Sequence, residues 1–389
     1  MNLQRYIKFC PNLLLFMEKF PDVTFSERLQ ILWDYLKLNR SKGLSMDEYY
    51  EFEFEKMSVK FRNDFLGKNE QRIYLELLNP VKYYILARNK YLTHKILEKT
   101  GVRKATLYCY YQPEGRVCEN DEIANNYTDV VRILQSKNVQ SCVVKTTESS
   151  HGDNVYVVEK VTYGEEDCQL QLFNGKVLKL SEILKRQPLI FESIIRQTEQ
   201  LSSINPSSVN TVRFMTTLYP NNEVKLVATF IKIGRAGHCV DNAGAGGNVD
   251  ACIDSENGMM KYVIQYDGWR KIKQITHHPD TNTQIEGMII DNWESIKQQV
   301  MEFQKAIPYV KAAGWDIAIT DDGPVVVEVN DMWDRTGQYF IRRGWRNEIR
   351  DCYLAWSSLV KKEEIPYPYL GRSLNKLSKR RMRRIIRKK

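Results

Sequence analysis

Hydrophobic positions along the chain change their period near residue 100. Over the first eighty residues Leu29, Ile31, Leu32, Tyr35 and Leu36 recur at near-helical spacing between long polar runs, which predicts a helical lead-in. Asn79-Pro80 ends it, and 91–100 reads as a further helix stopped by Gly101. Beyond that point β-type runs dominate, with strands expected over 141–145, 154–159, 189–195, 209–219, 223–233, 315–320 and 324–330. Helices fit 181–186, 293–306 and 346–361. Strands and helices in separate runs, joined by hairpins, argue for an α+β fold rather than an alternating parallel sheet. No repeat of solenoid length is present.

The run GWDIAITDDGPVVVEVN holds two apolar strands separated by Asp321, Asp322 and Gly323, a hairpin composition. A three-residue loop with Gly323 left-handed pairs Thr320 with Pro324, and counting back sets Asp316 opposite Glu328 with Asn330 on the same face. Opposed residues have β-carbons about 5 Å apart, where like charges repel. A hard divalent cation neutralises such a pair, because magnesium takes carboxylate, amide and phosphate oxygens. The alternative is a solvated polar face on an edge hairpin. A two-residue turn would shift the register by one and separate the two carboxylates.

Between the strands at 141–145 and 154–159 lies TTESSHGD, a small polar loop with Lys145 at its edge. Backbone N–H groups of such a loop bind phosphate oxygens, and a lysine adds a point charge; an ordinary hairpin has the same composition. Upstream, Asn89-Lys90 opens a helix. Downstream, Glu192 is the only acid in the apolar strand LIFESIIRQ, placed to meet an adenine amino group. His277-His278 before Pro279-Asp280 reads as a β-turn with partly exposed histidines in preference to a base or metal site.

Composition changes this picture little. The chain has 389 residues, 43% hydrophobic and 27% charged, enough for two or three packed domains. Eight scattered cysteines lack C-x-x-C spacing and read as reduced thiols in a cytoplasmic protein. The apolar run at 13–17 is followed by Glu18 and Lys19 without a cleavage site, and no stretch approaches a spanning helix, so neither a cleaved signal nor a membrane span is expected. Charge matters more. Of the net +9, ten basic residues and no acid lie in 371–389, which leaves the body near neutral. Leu374, Leu377, Met382, Ile385 and Ile386 interleave with these cations, so the tail reads as a solvated segment or as a basic amphipathic helix on an anionic membrane, each nearby cation contributing about 1 kcal/mol. Nucleic acid is the least favoured partner.

The ordered set of a lysine before a small lobe (Lys90), a lysine at a glycine loop (Lys145), a hinge strand with Glu192 and a closing D…E-x-N resembles the ATP-grasp superfamily. The likeness is closer to its sugar-transfer-associated group, linked to polysaccharide biosynthesis and similar to glutamate-ligase-like enzymes. It rests on PSSVNTVRFMT, GRAGHCVDNAGAGGN, HHPDTNTQIEG and GWDIAITDDGPVVVEVN, and runs from about Tyr83 to about Tyr339. The fold implied is two α+β lobes clasping ATP, with a helical N-terminal region at 1–80, a linker helix and lid lobe at 81–190, a central lobe with the metal site at 191–362 and a basic tail at 363–389. The resemblance implies that Lys90, Lys145 and the lid loop with Ser149, Ser150 and Gly152 hold phosphates. It implies that Glu192 and the Ile194 and Ile195 backbone hold adenine and that Gln197 meets the ribose. Asp316, Glu328 and Asn330 would bind two magnesium ions, with manganese as a substitute. Arg213, Arg235 and Asn242 are the catalytic candidates; the 241–248 loop carrying Asn242 reads as a flap over the acceptor or as a plain flexible connection. Two features depart from the common pattern: the lid loop has one glycine, beside His151, and a helical region replaces the usual first sheet-forming domain.

The expected activity is ATP-dependent amide ligation through an acyl phosphate, joining an amino acid to a sugar carboxylate or amino sugar carried on a nucleotide or lipid. The location expected is cytoplasmic, with the tail a route to the inner face of the membrane. A kinase using the same metals, or a non-catalytic scaffold, is the alternative.

Overall fold

The computed structural model describes residues 13–114, 122–148, 155–185, 187–239, 247–268 and 270–359. Ser149, Ser150, His151, Gly152, Asn242 and the 363–389 tail lie outside the described residues. Two compact units make up the chain: Met1–Val81 with Trp269–Lys271 and Asp334–Lys389, and Lys82–Gly268 with Ile272–Trp333.

The first unit is helical in its described part, with helices Phe25–Lys42, Met46–Glu51, Val59–Asp64, Lys68–Leu78, Thr336–Phe340 and Arg346–Ser357. Thr24 and Ser45 start two of them through capping boxes with Glu27 and Glu48, each serine or threonine accepting from a backbone N–H while the glutamate accepts in return. Its core is aromatic: Phe16, Tyr49, Phe52, Phe54 and Phe65 are buried, and the Phe54 and Phe65 rings meet edge-on with centroids 4.9 Å apart. Glu48 and Glu70 are buried carboxylates, paired with Arg335 and Arg346; the Arg346 Nε donates to both Glu70 oxygens at 2.9 Å.

The second unit carries two seven-stranded sheets. Strands β1 (Leu107–Tyr111), β2 (Ile123–Ala124), β3 (Cys142–Thr146), β4 (Val155–Tyr163), β5 (Cys168–Leu172), β6 (Val177–Lys179) and β7 (Leu189–Glu192) form the smaller lobe in the order β2-β1-β7-β3-β4-β5-β6. Strands β8 (Thr211–Leu218), β9 (Val224–Ile233), β10 (Val249–Ile253), β11 (Met260–Tyr266), β12 (Ile272–Gln274), β13 (Ala312–Thr320) and β14 (Gly323–Asn330) form the larger, in the order β12-β11-β10-β9-β8-β13-β14. The β1–β2 pair is parallel and the other described ladders are antiparallel. The α+β architecture and all seven expected strands are present. The hinge strand ends at Glu192 rather than residue 195, and the strands β1, β2, β5, β6, β10, β11 and β12 were not separately legible.

Alternation explains how each sheet divides its faces. Val212, Phe214, Ile231, Ile233, Trp315 and Ile317 point into one core of the larger sheet; Cys142, Val144, Val158, Leu189 and Phe191 do so in the smaller. The residues between them face the other way and carry the polar chemistry.

The β13–β14 hairpin corrects the expected turn. Thr320 pairs with Gly323, not Pro324, so the turn is the two-residue Asp321-Asp322. That register alone would separate Asp316 from Glu328. A bulge at Val327 adds one residue to β14 and restores the opposition, Asp316 to Glu328 and Gly314 to Asn330. Gly323 has φ 112°, a conformation that side-chain-bearing residues avoid.

Candidate active site

Arg213 on β8 lies opposite Asp316 on β13, which lies opposite Glu328 on β14. Three directly opposed residues share a face, so an arginine and two carboxylates form one row across three strands. Lys232 on β9 opposes Thr211 and joins the same face. The Arg213 Nε donates to Asp316 Oδ1 at 2.6 Å and an Nη to Oδ2 at 2.9 Å, while Lys232 Nζ lies 3.1 Å from Oδ1. The Asn330 amide donates to Oδ2 at 3.3 Å. Gly314 leaves room for this arrangement, since a β-carbon there would sit 3.3 Å from an Arg213 Nη.

Burial by itself raises the Asp316 carboxyl, but the Arg213 and Lys232 charges outweigh it and hold the group at about 2. A depressed carboxylate contributes stability above its unfolded value, about 4, and loses that contribution as pH falls through its folded value. The thermal midpoint of the parent should therefore fall more steeply between about pH 4 and about pH 2 than that of Asp316→Asn. Parallel curves for the two proteins would reject the pairing.

On the smaller sheet, Val143 opposes both Glu192 and Val157, and Lys145 opposes both Ile190 and Val155. Lys145 and Glu192 form a close, nearly buried ion pair. Lys90, one residue after the helix cap Asn89, places its Nζ 3.5 Å from Glu328 Oε1, and its backbone N–H donates to Thr147 O at 2.9 Å. A bidentate Arg88–Asp331 pair, 2.9 Å at each contact, ties the chain just before Lys90 to the chain just after Asn330.

Of these groups Lys90, Lys145, Glu192, Lys232, Asp316 and Glu328 line a cavity of about 500 Å³, within the usual range for small-molecule sites, while Arg213 and Asn330 stand behind Asp316 and are not among the described lining residues. Val143, Val155, Val157 and Phe173 are the apolar part of the cavity lining, and Lys90, Lys145, Lys232, Asp316 and Glu328 the charged part. The hinge segment 193–197 runs along it. Ile194 and Ile195 line it, and among the described residues none hydrogen-bonds their backbone. Gln197, expected at the ribose, lines the cavity, and its amide donates to Asn205 O and Ser208 O and accepts from Asn210 N, which holds the 205–210 loop.

Arg235 is not among the described lining residues. Asp280 holds its guanidinium through two contacts of 2.7 Å, and a third nitrogen donates to Gly247 O at 3.1 Å. The Arg235 hydrogen bonds push the Asp280 carboxyl well below its ordinary range. His278 corrects the exposed-turn expectation: it is buried with Nε2 3.0 Å from Gly234 O, while His277 is exposed.

Sequence reasoning missed Lys232 and the apolar wall. Lys232 had a signal, a charge alternating between Ile231 and Ile233 on an otherwise apolar strand. Its reach to Asp316, two strands away, had none.

Do these residues fit magnesium? Among the described residues no three His, Cys, Asp or Glu side chains cluster as a metal site. Two carboxylates and an amide on one hairpin face are the donor type that magnesium shares with nucleotide phosphates and water, so the set fits in chemistry. Arg213, Lys232 and Asn330 already engage both Asp316 oxygens, so an ion that took Asp316 as a ligand would have to displace one of these contacts.

Two α+β lobes with polar faces turned to a shared cavity, one supplying a lysine–glutamate pair and a hinge and the other a carboxylate hairpin, define the ATP-grasp fold. The chain belongs to the sugar-transfer associated ATP-grasp family, whose model matches residues 69–351. No curated protein matches it. Solved structures similar to it include N5-carboxyaminoimidazole ribonucleotide synthetase from Thermotoga maritima, at 12% identity and TM-score 0.39, over 71% of this chain and 52% of that one. Phosphoribosylamine–glycine ligase from Thermotoga maritima is similar at 12% identity and TM-score 0.41, over 72% and 57%. D-Alanine–D-alanine ligase from Bacillus anthracis is similar at 13% identity and TM-score 0.37, over 72% and 70%. The chain thus spans about half the length of the first of these. Among the described residues no helix is long and apolar enough to cross a membrane.

Proposed function

We propose that the protein is an ATP-dependent carboxylate–amine ligase that forms an amide through an acyl phosphate. One observation carries this reading: a single cavity is lined by an apolar cluster, by a segment with open backbone groups and by Asp316 and Glu328 with three lysines, Arg213 backing Asp316 from the neighbouring strand. The first two suit a purine base, the last a polyphosphate.

Adenine would lie between Val143, Val155, Val157 and Phe173, its edge read by the backbone of Ile194 and Ile195 and by Glu192. Lys90 and Lys145, paired here with Glu328 and Glu192, would transfer their charge to phosphate oxygens. Asp316, Glu328 and Asn330 would hold magnesium, which when bound neutralises phosphate charge during transfer. A substrate carboxylate oxygen attacks the terminal phosphorus, the bond from that phosphorus to the bridging oxygen breaks, and ADP leaves. An amine then attacks the acyl carbon, phosphate departs, and the amine nitrogen gives up a proton. Arg213 and Lys232 would stabilise the negative charge that develops on the oxygens around the transferred group. No covalent nucleophile is needed, because positioning and charge neutralisation supply most of the rate.

The family's sugar-transfer association favours a saccharide as one substrate and an amino acid as the other, in the assembly of a surface polysaccharide. ADP release screened over amino acids with uronic-acid and amino-sugar acceptors should identify a productive pair, and hydroxylamine should trap the activated carboxylate. Absence of ADP release with every pair, from protein that binds ATP, would sink the ligase reading. ADP release with a stable phosphorylated product and no amide would identify a kinase.

A further inference from the structure

The helix Phe25–Lys42 is apolar on two sides. Tyr35 and Leu38 are buried in the aromatic core of the helical unit. Phe25, Leu29 and Trp33, spaced by four residues, lie on the other side and are 70%, 39% and 73% exposed. Successive fourth residues form a continuous stripe, about 12 Å long from first to last. Single exposed apolar side chains are common, but a run of this kind that includes a tryptophan and a phenylalanine marks a contact surface. Leu14 and Leu15, also exposed, precede it in the same unit.

Charge decides what the stripe meets. At 100° per residue Leu32 and Leu36 flank it, and Lys37 and Arg40, both exposed, continue it toward the C-terminal end. Glu27 and Asp34 fall outside this arc, and Asp34 is paired with Arg62. The sequence at 371–389 adds ten cations and no acid. A second copy packed in parallel on the stripe would bring its own Lys37 and Arg40 to like charges, and the basic segment 371–389 would meet the same repulsion. An anionic lipid surface reverses the sign of both interactions, and tryptophan and phenylalanine favour the headgroup boundary.

We propose that the Phe25–Leu29–Trp33 face inserts into the interfacial layer of an anionic membrane, with Lys37, Arg40 and the basic segment 371–389 supplying attraction to the headgroups. Apolar insertion and polybasic attraction are two signals of the kind that stable peripheral attachment requires. The inference rests on the helical unit and does not depend on the ligase reading.

The test is co-sedimentation of the full chain with phosphatidylcholine vesicles containing about 30% phosphatidylglycerol, and with vesicles of phosphatidylcholine alone. The parent should bind the first and not the second. Phe25→Ser/Leu29→Ser/Trp33→Ser should lose about tenfold or more in vesicle affinity with its circular dichroism and ATP binding unchanged. Because all three side chains are exposed, the variant is expected to fold. As an independent readout, the vesicle-induced blue shift of tryptophan fluorescence should disappear in Trp33→Phe. Parent-like vesicle binding by the triple variant would overturn the proposal and leave the basic segment alone responsible. Self-association of the parent that the triple variant abolishes, with no vesicle binding by either, would overturn it in favour of a second copy.

Discussion

Asp316→Asn is expected to lower ATP-dependent turnover by about a hundred- to a thousandfold and to destabilise the two-sheet unit by about 3 kcal/mol. Both effects have one origin. Asp316 is almost fully buried and answers two cations at once, Arg213 through a bidentate pair and Lys232 through a single contact. An asparagine accepts at one oxygen and carries no charge, so two buried positive groups would be left facing each other. The same substitution removes one of the two carboxylates expected to hold magnesium. Urea denaturation reads the first loss and ADP release from folded protein the second. Parent-like ADP release would remove Asp316 from the proposed machinery, whatever its effect on stability. A loss confined to stability would recast the Arg213–Asp316–Glu328 row as a structural lock.

Gly344→Ala should be still more damaging to folding, at about 3 kcal/mol or more, and in the other unit. A β-carbon at position 344 would sit 2.5 Å from the Phe65 backbone nitrogen and closer still to the Asp64 carbonyl. Backbone atoms cannot turn aside as a flexible side chain would. The surroundings are rigid as well: the Gln338 amide accepts from Leu66 N at 2.8 Å and donates to Leu66 O at 3.1 Å, and Trp345 next door is fully buried. Relief therefore requires moving the chain around Phe65 away from the segment that carries Gly344. The expected observation is loss of the cooperative thermal transition of the helical unit, or a fall of several degrees in its midpoint. A midpoint matching the parent's would show that the close approach is not maintained in solution.

The two positions differ in how far they could be read from the chain. Asp316 was legible because a hairpin of alternating apolar residues leaves its acids on one face, and Glu328 and Asn330 follow at matching parity. Gly344 was not, since nothing near it in sequence signals that Asp64 and Phe65 will lie against it. Lys90, Lys145 and Glu192 were recognised from their order along the chain, and all three line the cavity. Arg213 and Arg235 were matched to the site on the same grounds, yet neither is among the described lining residues: Arg213 is paired with Asp316, which lines the cavity, and Arg235 with Asp280, which does not. Order along a chain carries a strand's position but not the direction in which a long side chain finally lies.

The hairpin illustrates the division most clearly. Its expected register was right at Asp316 and Glu328, but the turn is shorter than expected, and only the bulge at Val327 restores the pairing. Turn length responds to local residues, whereas a bulge responds to how β14 fits the neighbouring sheet. The need for something to neutralise the opposed carboxylates was also readable, and a metal ion was the natural expectation. In the structure Arg213 and Lys232 already serve Asp316, and Lys90 serves Glu328.

By itself, then, the sequence determined which residues are strand and helix over the long periodic segments, and which side of each strand is apolar, because both follow from local spacing. Which cation meets which carboxylate, where a glycine must yield space and how the cavity acquires its apolar wall were decided only in the tertiary structure. Those outcomes depend on register between strands far apart in the chain, and on side chains whose reach exceeds the spacing of neighbouring strands.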